Sequence, residues 1–175
     1  MAILEILRSP DPRLKKVAKP IEKIDDTIKK LSKDMLETMY KNNGIGLAAT
    51  QIGVEKRIVV MDVTQGENKN EPLILINPQV IRQSDELKLY NEGCLSFPTQ
   101  YAEVERPDKI TAEYLDLQGK KQQIEADGLL SVCIQHEIDH LNGKVFVDYL
   151  SRLKREKILK RLVKMNKLGY SYSDN

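Results

Sequence analysis

Between Asp25 and Asn43, Ile28, Leu31, Met35, Leu36 and Met39 recur at three- and four-residue intervals with Lys, Asp and Glu between them, and Gly44 follows. That period predicts an amphipathic helix ended by the glycine. Downstream, shorter runs rich in β-branched and aromatic residues predict strands at 58–63, 73–76, 86–90, 101–104 and 110–117. Gln118-Gly119 then turns the chain into a further strand at 122–126, as in a hairpin. From Asp127, placed as an N-cap, the run Gly128 to Asn142 predicts a second helix closed by Gly143. A third helix is predicted from Ser151 to Leu168, with Leu153, Ile158, Leu162 and Val163 as its buried positions. Strands segregated from helices imply an α+β fold rather than alternating βαβ units.

The chain has 175 residues, which fits a single domain over 1–175 with a sizeable core. Pro and Gly are scattered at turns, and nothing resembles a linker or repeat. No run approaches the roughly twenty apolar residues of a membrane span. The opening segment lacks a basic leader and a small-residue cleavage site, so the expectation is a cytoplasmic protein. Two cysteines, Cys94 and Cys133, are too few for a disulfide framework and suit a reducing compartment. The net charge of +2 hides an asymmetry: residues 151–168 carry eight Lys/Arg against one Glu, leaving −5 for the remainder.

Both histidines of the chain fall in His136-Glu137-Ile138-Asp139-His140. At about 100° per residue, positions four apart share a helix face, so both imidazoles can reach one cation. Glu137 sits a quarter-turn round, where a carboxylate can take a proton from water at the metal. Two histidines on a helix are often only packed side chains, but here the same face continues through Cys133, Val132 and Leu129 as an apolar wall. Asp139 lies off that face and reads as a structural partner.

A catalytic metal site needs a third protein ligand and an open position. Cys133, three residues before His136, reads as a packing thiol. Cys94 lies in Glu92-Gly93-Cys94-Leu95-Ser96-Phe97-Pro98, where Gly93 permits an unusual turn and Pro98 is expected to end any strand, and it is the better thiolate ligand. A distant carboxylate stays open as an alternative.

Three segments together, Gly44-Ile45-Gly46-Leu47-Ala48-Ala49-Thr50-Gln51, Glu92-Gly93-Cys94-Leu95-Ser96 and Gln135-His136-Glu137-Ile138-Asp139-His140, resemble in sequence and order the three signature motifs of the peptide deformylases. The likeness extends through Ile3 to Leu7, Asp11 to Leu14, Ile76 to Pro78 and Ala126 to Leu130, and so covers nearly the whole chain. It implies antiparallel β-sheets packed around a central HExxH helix, with an N-terminal and a C-terminal helix. It implies hydrolysis of the N-formyl group on the formylmethionine of new polypeptides, releasing formate. It implies one divalent metal on Cys94, His136 and His140, with Glu137 as acid/base and Gln51 and the Leu95 backbone N–H as oxyanion donors. The ligand set alone points to zinc, whereas the resemblance implies Fe(2+) in the cell, with Zn, Ni or Co as replacements.

Substrate is expected along Ile45 and Gly46, with Ile45, Tyr90, Leu129, Val132 and Cys133 forming a socket for the methionine side chain. Glu92 is counted with these substrate-binding positions, and it is also expected to support the metal site in a pair with Arg106. Tyr101 departs from the basic residue that some bacterial relatives carry there, which bears on preference beyond the formylmethionine. The basic terminal helix, 151–168, implies docking to the ribosome, and a monomer is expected. Two rival readings are a zinc endopeptidase using the same helix, and a structural metal site that only staples strand to helix.

Overall fold

The computed structural model describes residues 2–66 and 70–169. Three α-helices and seven strands follow one another as α1 (Asp26–Lys41), β1 (Gly46–Ala48), β2 (Ile58–Met61), β3 (Leu73–Gln83), β4 (Leu87–Cys94), β5 (Phe97–Pro107), β6 (Lys109–Leu115), β7 (Lys121–Asp127), α2 (Gly128–Leu141) and α3 (Arg152–Lys167). A five-stranded sheet has the order β1-β2-β3-β6-β7, and β4 pairs β5 in a separate ribbon. Every pairing between these strands is antiparallel. The α+β expectation therefore holds.

The sheet is covered on both faces, which explains why β2 reads as the unbroken apolar run Ile58-Val59-Val60-Met61. Val59 and Met61 meet Cys133, Ile134, Ile138 and Leu141 of α2. Ile58 and Val60 meet Ile28, Met35 and Met39 of α1. The period-two alternation of a strand divides the run between the two layers. Helix α2 is thus central, and nearly all of it from Ser131 to Leu141 is buried. A third cluster joins Phe97 and Val104 of β5 to Val145, Phe146 and Val147, just after α2, and to Ile158 and Leu162 of α3.

Helix boundaries follow local chemistry. Asp25 caps α1 by accepting from the Ile28 N–H at 3.1 Å. Asn43, with φ 53°, takes the left-handed residue past the end of α1, ahead of Gly44. Asp127 occupies the N-cap position of α2 but its side chain makes no capping hydrogen bond. Gly143, φ 73°, follows that helix as expected.

Two expectations fail. Pro98 lies inside β5 rather than ending a strand. The register jumps from Gly93↔Tyr101 to Cys94↔Phe97, so Pro98, Thr99 and Gln100 bulge out of the ladder, where a missing N–H costs nothing. In α3, Ile158 and Leu162 are buried, but Leu153 is 79% and Val163 38% exposed. Each lies five residues from one of them or from the stripe they define, which at 100° per residue turns it about 140° away from the core. Strand β1 is not among the strands that periodicity predicts, although edge-strand pairing is expected near Ile45 and Gly46, and β3, β4 and β5 run longer than the apolar segments that announced them.

Candidate metal centre and active site

Cys94 ends β4, and Leu95-Ser96 makes the two-residue turn into β5. The turn presents the Cys94 thiol to α2, where its Sγ lies 3.2 Å from His140 Nε2. The His136 and His140 rings stand 5.0 Å apart between centroids. The ligand atoms of Cys94, His136 and His140 all lie within 4.8 Å of one another, a cluster of donors that fits one cation. Cys133 is not part of it: it is buried, with its thiol 3.6 Å from the Ile45 carbonyl oxygen.

His136 is oriented from behind. Its Nδ1 lies 2.8 Å from Glu92 Oε1, leaving Nε2 for the Cys94 side. Arg106 donates from Nε to Glu92 Oε2 at 2.7 Å and from Nη2 to Oε1 at 3.0 Å. Its Nη1 donates to Asp139 Oδ2 at 2.9 Å. Burial by itself would raise the Glu92 carboxyl, but the hydrogen bonds from His136 and Arg106 outweigh it and hold the pKa below its ordinary value. Both oxygens of Glu92 are thereby engaged by Arg106 and His136. The Phe146 ring stacks on His136 at 6.1 Å. His140 is fixed through its backbone, whose carbonyl accepts from Thr50 Oγ1 at 3.1 Å.

Glu137 stands beside the cluster with one carboxylate oxygen, Oε2, buried and without a hydrogen-bond partner among the described residues. Burial, opposed in part by His136, raises its carboxyl to about 7. His140 Nδ1 is likewise buried and unpartnered. An orphaned carboxylate oxygen such as Glu137 Oε2 is uncommon in a finished interior and points to a group that this side chain awaits. Gly46 packs against Glu137: a Cβ there would collide with Oε1 and come within 2.9 Å of Cys133 Sγ.

Gln51 is buried, and its amide is held by both ends. Oε1 accepts from the Ala48 N–H at 2.9 Å, while Nε2 points to Ser96 Oγ at 3.1 Å and Cys94 Sγ at 3.4 Å. Leu95, next to Cys94, is half-buried and packs on Gly44. Of the socket positions, Val132 and Cys133 are buried, whereas Ile45 and Leu129 are 39% and 50% exposed. Tyr90 is half-buried with its hydroxyl given to Asp108 Oδ1 at 3.0 Å. Thr50 and Ser96 lie within the signature segments but carry no role in the sequence reading, which missed Phe146 and Tyr149; these two reach the site through contacts between segments and lie in no spacing that would announce them.

Similarity to known proteins points to one family. The family model described as polypeptide deformylase matches residues 3–156. The peptide deformylase of Rhizobium meliloti (strain 1021) is 55% identical over 95% of this chain and 96% of its own. That of Azotobacter vinelandii is 57% identical over 95% and 98%. Among solved structures, a peptide deformylase from Legionella pneumophila superposes with a TM-score of 0.90 at 46% identity, covering 96% of this chain and 98% of that one. The Ehrlichia chaffeensis peptide deformylase in complex with actinonin gives 0.91 at 43%, covering 95% and 99%. The chain belongs to the polypeptide deformylase family.

Proposed function

We propose that Cys94, His136 and His140 hold the single divalent metal of this deformylase, and that Glu137 is the acid/base in removing the N-formyl group from nascent polypeptides. The observation that carries the reading is the three-ligand cluster with the unpartnered, buried oxygen of Glu137 beside it. When bound, the cation supplies Lewis acidity, lowering the pKa of water and polarising the formyl oxygen. We assign it as Fe(2+) in the cell, with zinc, nickel or cobalt as replacements; one thiolate and two imidazoles suit all of them.

The protein does the rest. With its carboxyl raised by burial, Glu137 accepts a proton from the attacking water and delivers it to the departing amine. Gln51 Nε2 lies 3.4 Å from Cys94 Sγ, and we assign it, together with the backbone N–H of the next residue, Leu95, as donor to the formyl oxygen as negative charge develops there. Strand β1 is an outer strand of the sheet, so a peptide can extend it by backbone pairing along Ile45 and Gly46. Exposed Ile45 and Leu129, with Val132 and Cys133 behind them, form an apolar socket for the methionine side chain, and Tyr90 borders it.

The measurement is formate release from formyl-Met-Ala-Ser by Glu137→Gln. Activity should fall by about 10²–10⁴ with metal content unchanged. Full activity in that variant sinks the assignment, and cleavage of internal peptide bonds by the parent would favour the endopeptidase reading instead.

Among the described residues no helix is long and apolar enough to cross a membrane. We place the enzyme in the cytoplasm as a monomer acting on formylmethionyl chains, with α3 as its ribosome contact. All eight basic side chains of α3 are exposed, in keeping with electrostatic attraction to RNA. Because Ile158 and Leu162 complete the core behind Phe146, deletion of α3 would confuse docking with folding. Charge reversal at Lys157, Lys160 and Lys164 is the cleaner variant: unchanged co-sedimentation with ribosomes at low salt would remove α3 from the interaction.

A further inference from the structure

The 3-10 helix Phe146–Tyr149, which follows α2, belongs to none of the catalytic motifs, yet it reaches the metal centre by two routes. Phe146 stacks directly on His136. Tyr149 arrives from the opposite side, through charge. Its hydroxyl donates to Asp139 Oδ2 at 2.8 Å, the same oxygen that accepts from Arg106 Nη1 at 2.9 Å. Its ring lies 4.7 Å from the Arg106 guanidinium carbon. Arg106 in turn forks onto Glu92, and Glu92 holds His136 Nδ1.

We propose that Tyr149 is a positioning residue for His136, acting through Asp139, Arg106 and Glu92. The inference rests on His136 being a metal ligand. Tyr149 is itself 46% exposed, whereas Arg106 is only 2% exposed, so the tyrosine is the lid that separates the guanidinium from solvent. Its hydroxyl also fixes Asp139, which is the anchor for the third nitrogen of the fork. A guanidinium bound at all three nitrogens has one orientation; released from Asp139 it can pivot about its Glu92 contacts. The Glu92 carboxylate pivots with it, and the imidazole plane of His136 follows. A satisfied hydrogen-bond network rigidifies the groups it joins, so the orientation set at one end is held at the other. Lys144, with its Nζ 5.5 Å from the same ring, adds a second cation over Tyr149 and holds the lid in place.

The test uses cobalt(II)-loaded enzyme challenged with excess chelator. Tyr149→Phe keeps the ring and loses only the hydroxyl; it should release cobalt about tenfold faster than the parent. Its visible cobalt bands should shift, and kcat should fall with KM unchanged. Val147→Ala perturbs the same 3-10 helix without touching the network. It should lower the melting temperature and leave cobalt release as in the parent. A Tyr149→Phe variant that holds cobalt like the parent overturns the proposal, as does a Val147→Ala variant that releases it equally fast. His136→Ala separates the two levels: it should lose cobalt outright, and if it keeps the metal, the ligand assignment itself is wrong.

Discussion

Gly46 and Glu137 are packed so closely that no side-chain carbon fits between them: a Cβ on Gly46 would collide with Glu137 Oε1. The backbone of the outer strand and the proposed acid/base are therefore set against each other, with Cys133 Sγ as the third wall. Gly46→Ala must push the carboxylate aside. It should lower kcat/KM for formyl-Met-Ala-Ser by at least about tenfold, the scale expected when a reacting group is misplaced by an ångström or less. Metal content, measured in the same preparation, should stay at the parent level.

Arg106 holds two carboxylates, and its own side chain and that of Glu92 are 3% and 4% exposed. Arg106→Ala leaves Glu92 and Asp139 without their common partner, and breaking a buried pair from one side costs about 3–5 kcal/mol. Urea denaturation should show that loss as a lower midpoint. Adding Glu92→Gln should recover part of it, since the second change removes the charge that the first one stranded.

Asp62 predicts a two-sided pH dependence. It accepts from Tyr40 Oη at 2.6 Å and from Thr64 Oγ1 at 2.7 Å. Burial pushes its carboxyl up, but these hydrogen bonds prevail and hold it below the ordinary value. A carboxyl with a depressed folded pKa contributes stability above its unfolded value, about 3.9, and that contribution is lost as pH falls through the folded value. Burial raises the Tyr40 hydroxyl to about 12, and the Asp62 charge adds to the shift. Its contribution is complete below about pH 10 and disappears as pH climbs from there through 12. In Tyr40→Phe, urea midpoints should drop at neutral pH by about 1.5–3 kcal/mol equivalent. The alkaline decline between pH 10 and 12 should also flatten, and an unchanged decline would exclude Tyr40 as its source.

The two thiols should differ sharply in reactivity. Cys94 is partly exposed, whereas Cys133 is buried and its pKa is driven well above the ordinary value, chiefly by desolvation. Native enzyme stripped of metal should consume one equivalent of a chromogenic disulfide reagent, mapped to Cys94 by peptide mass. The second equivalent should need denaturant. Metal-loaded enzyme should react far more slowly, because a ligand thiolate is withheld from the reagent.

The parts of the site that were legible in advance are those encoded by local spacing. His136, Glu137 and His140 declare themselves because one helix carries all three, and helical period can be read from a window of about 11–18 residues. Cys94 was legible as a thiol among turn residues, but its meeting with His140 depends on β4 reaching across to α2, which no local pattern encodes. Strand β1 was invisible for a different reason. Three residues show no alternation, and Gly46-Leu47-Ala48 becomes a strand only because β2 pairs with it. The same applies to Leu153 and Val163: both are apolar and at acceptable helical positions, and only the direction from which β5 approaches decides that Ile158 and Leu162 are covered. Pro98 misled because proline forbids a ladder hydrogen bond, not a bulge.

Because β1 sits at the margin of its sheet, a visiting chain would be gripped there through amide groups that every polypeptide carries. Such a grip is blind to the identity of the side chains. Deformylation of nascent chains that differ in their second and third residues would draw on that indifference, leaving discrimination chiefly to the proposed apolar socket and to the formyl group itself.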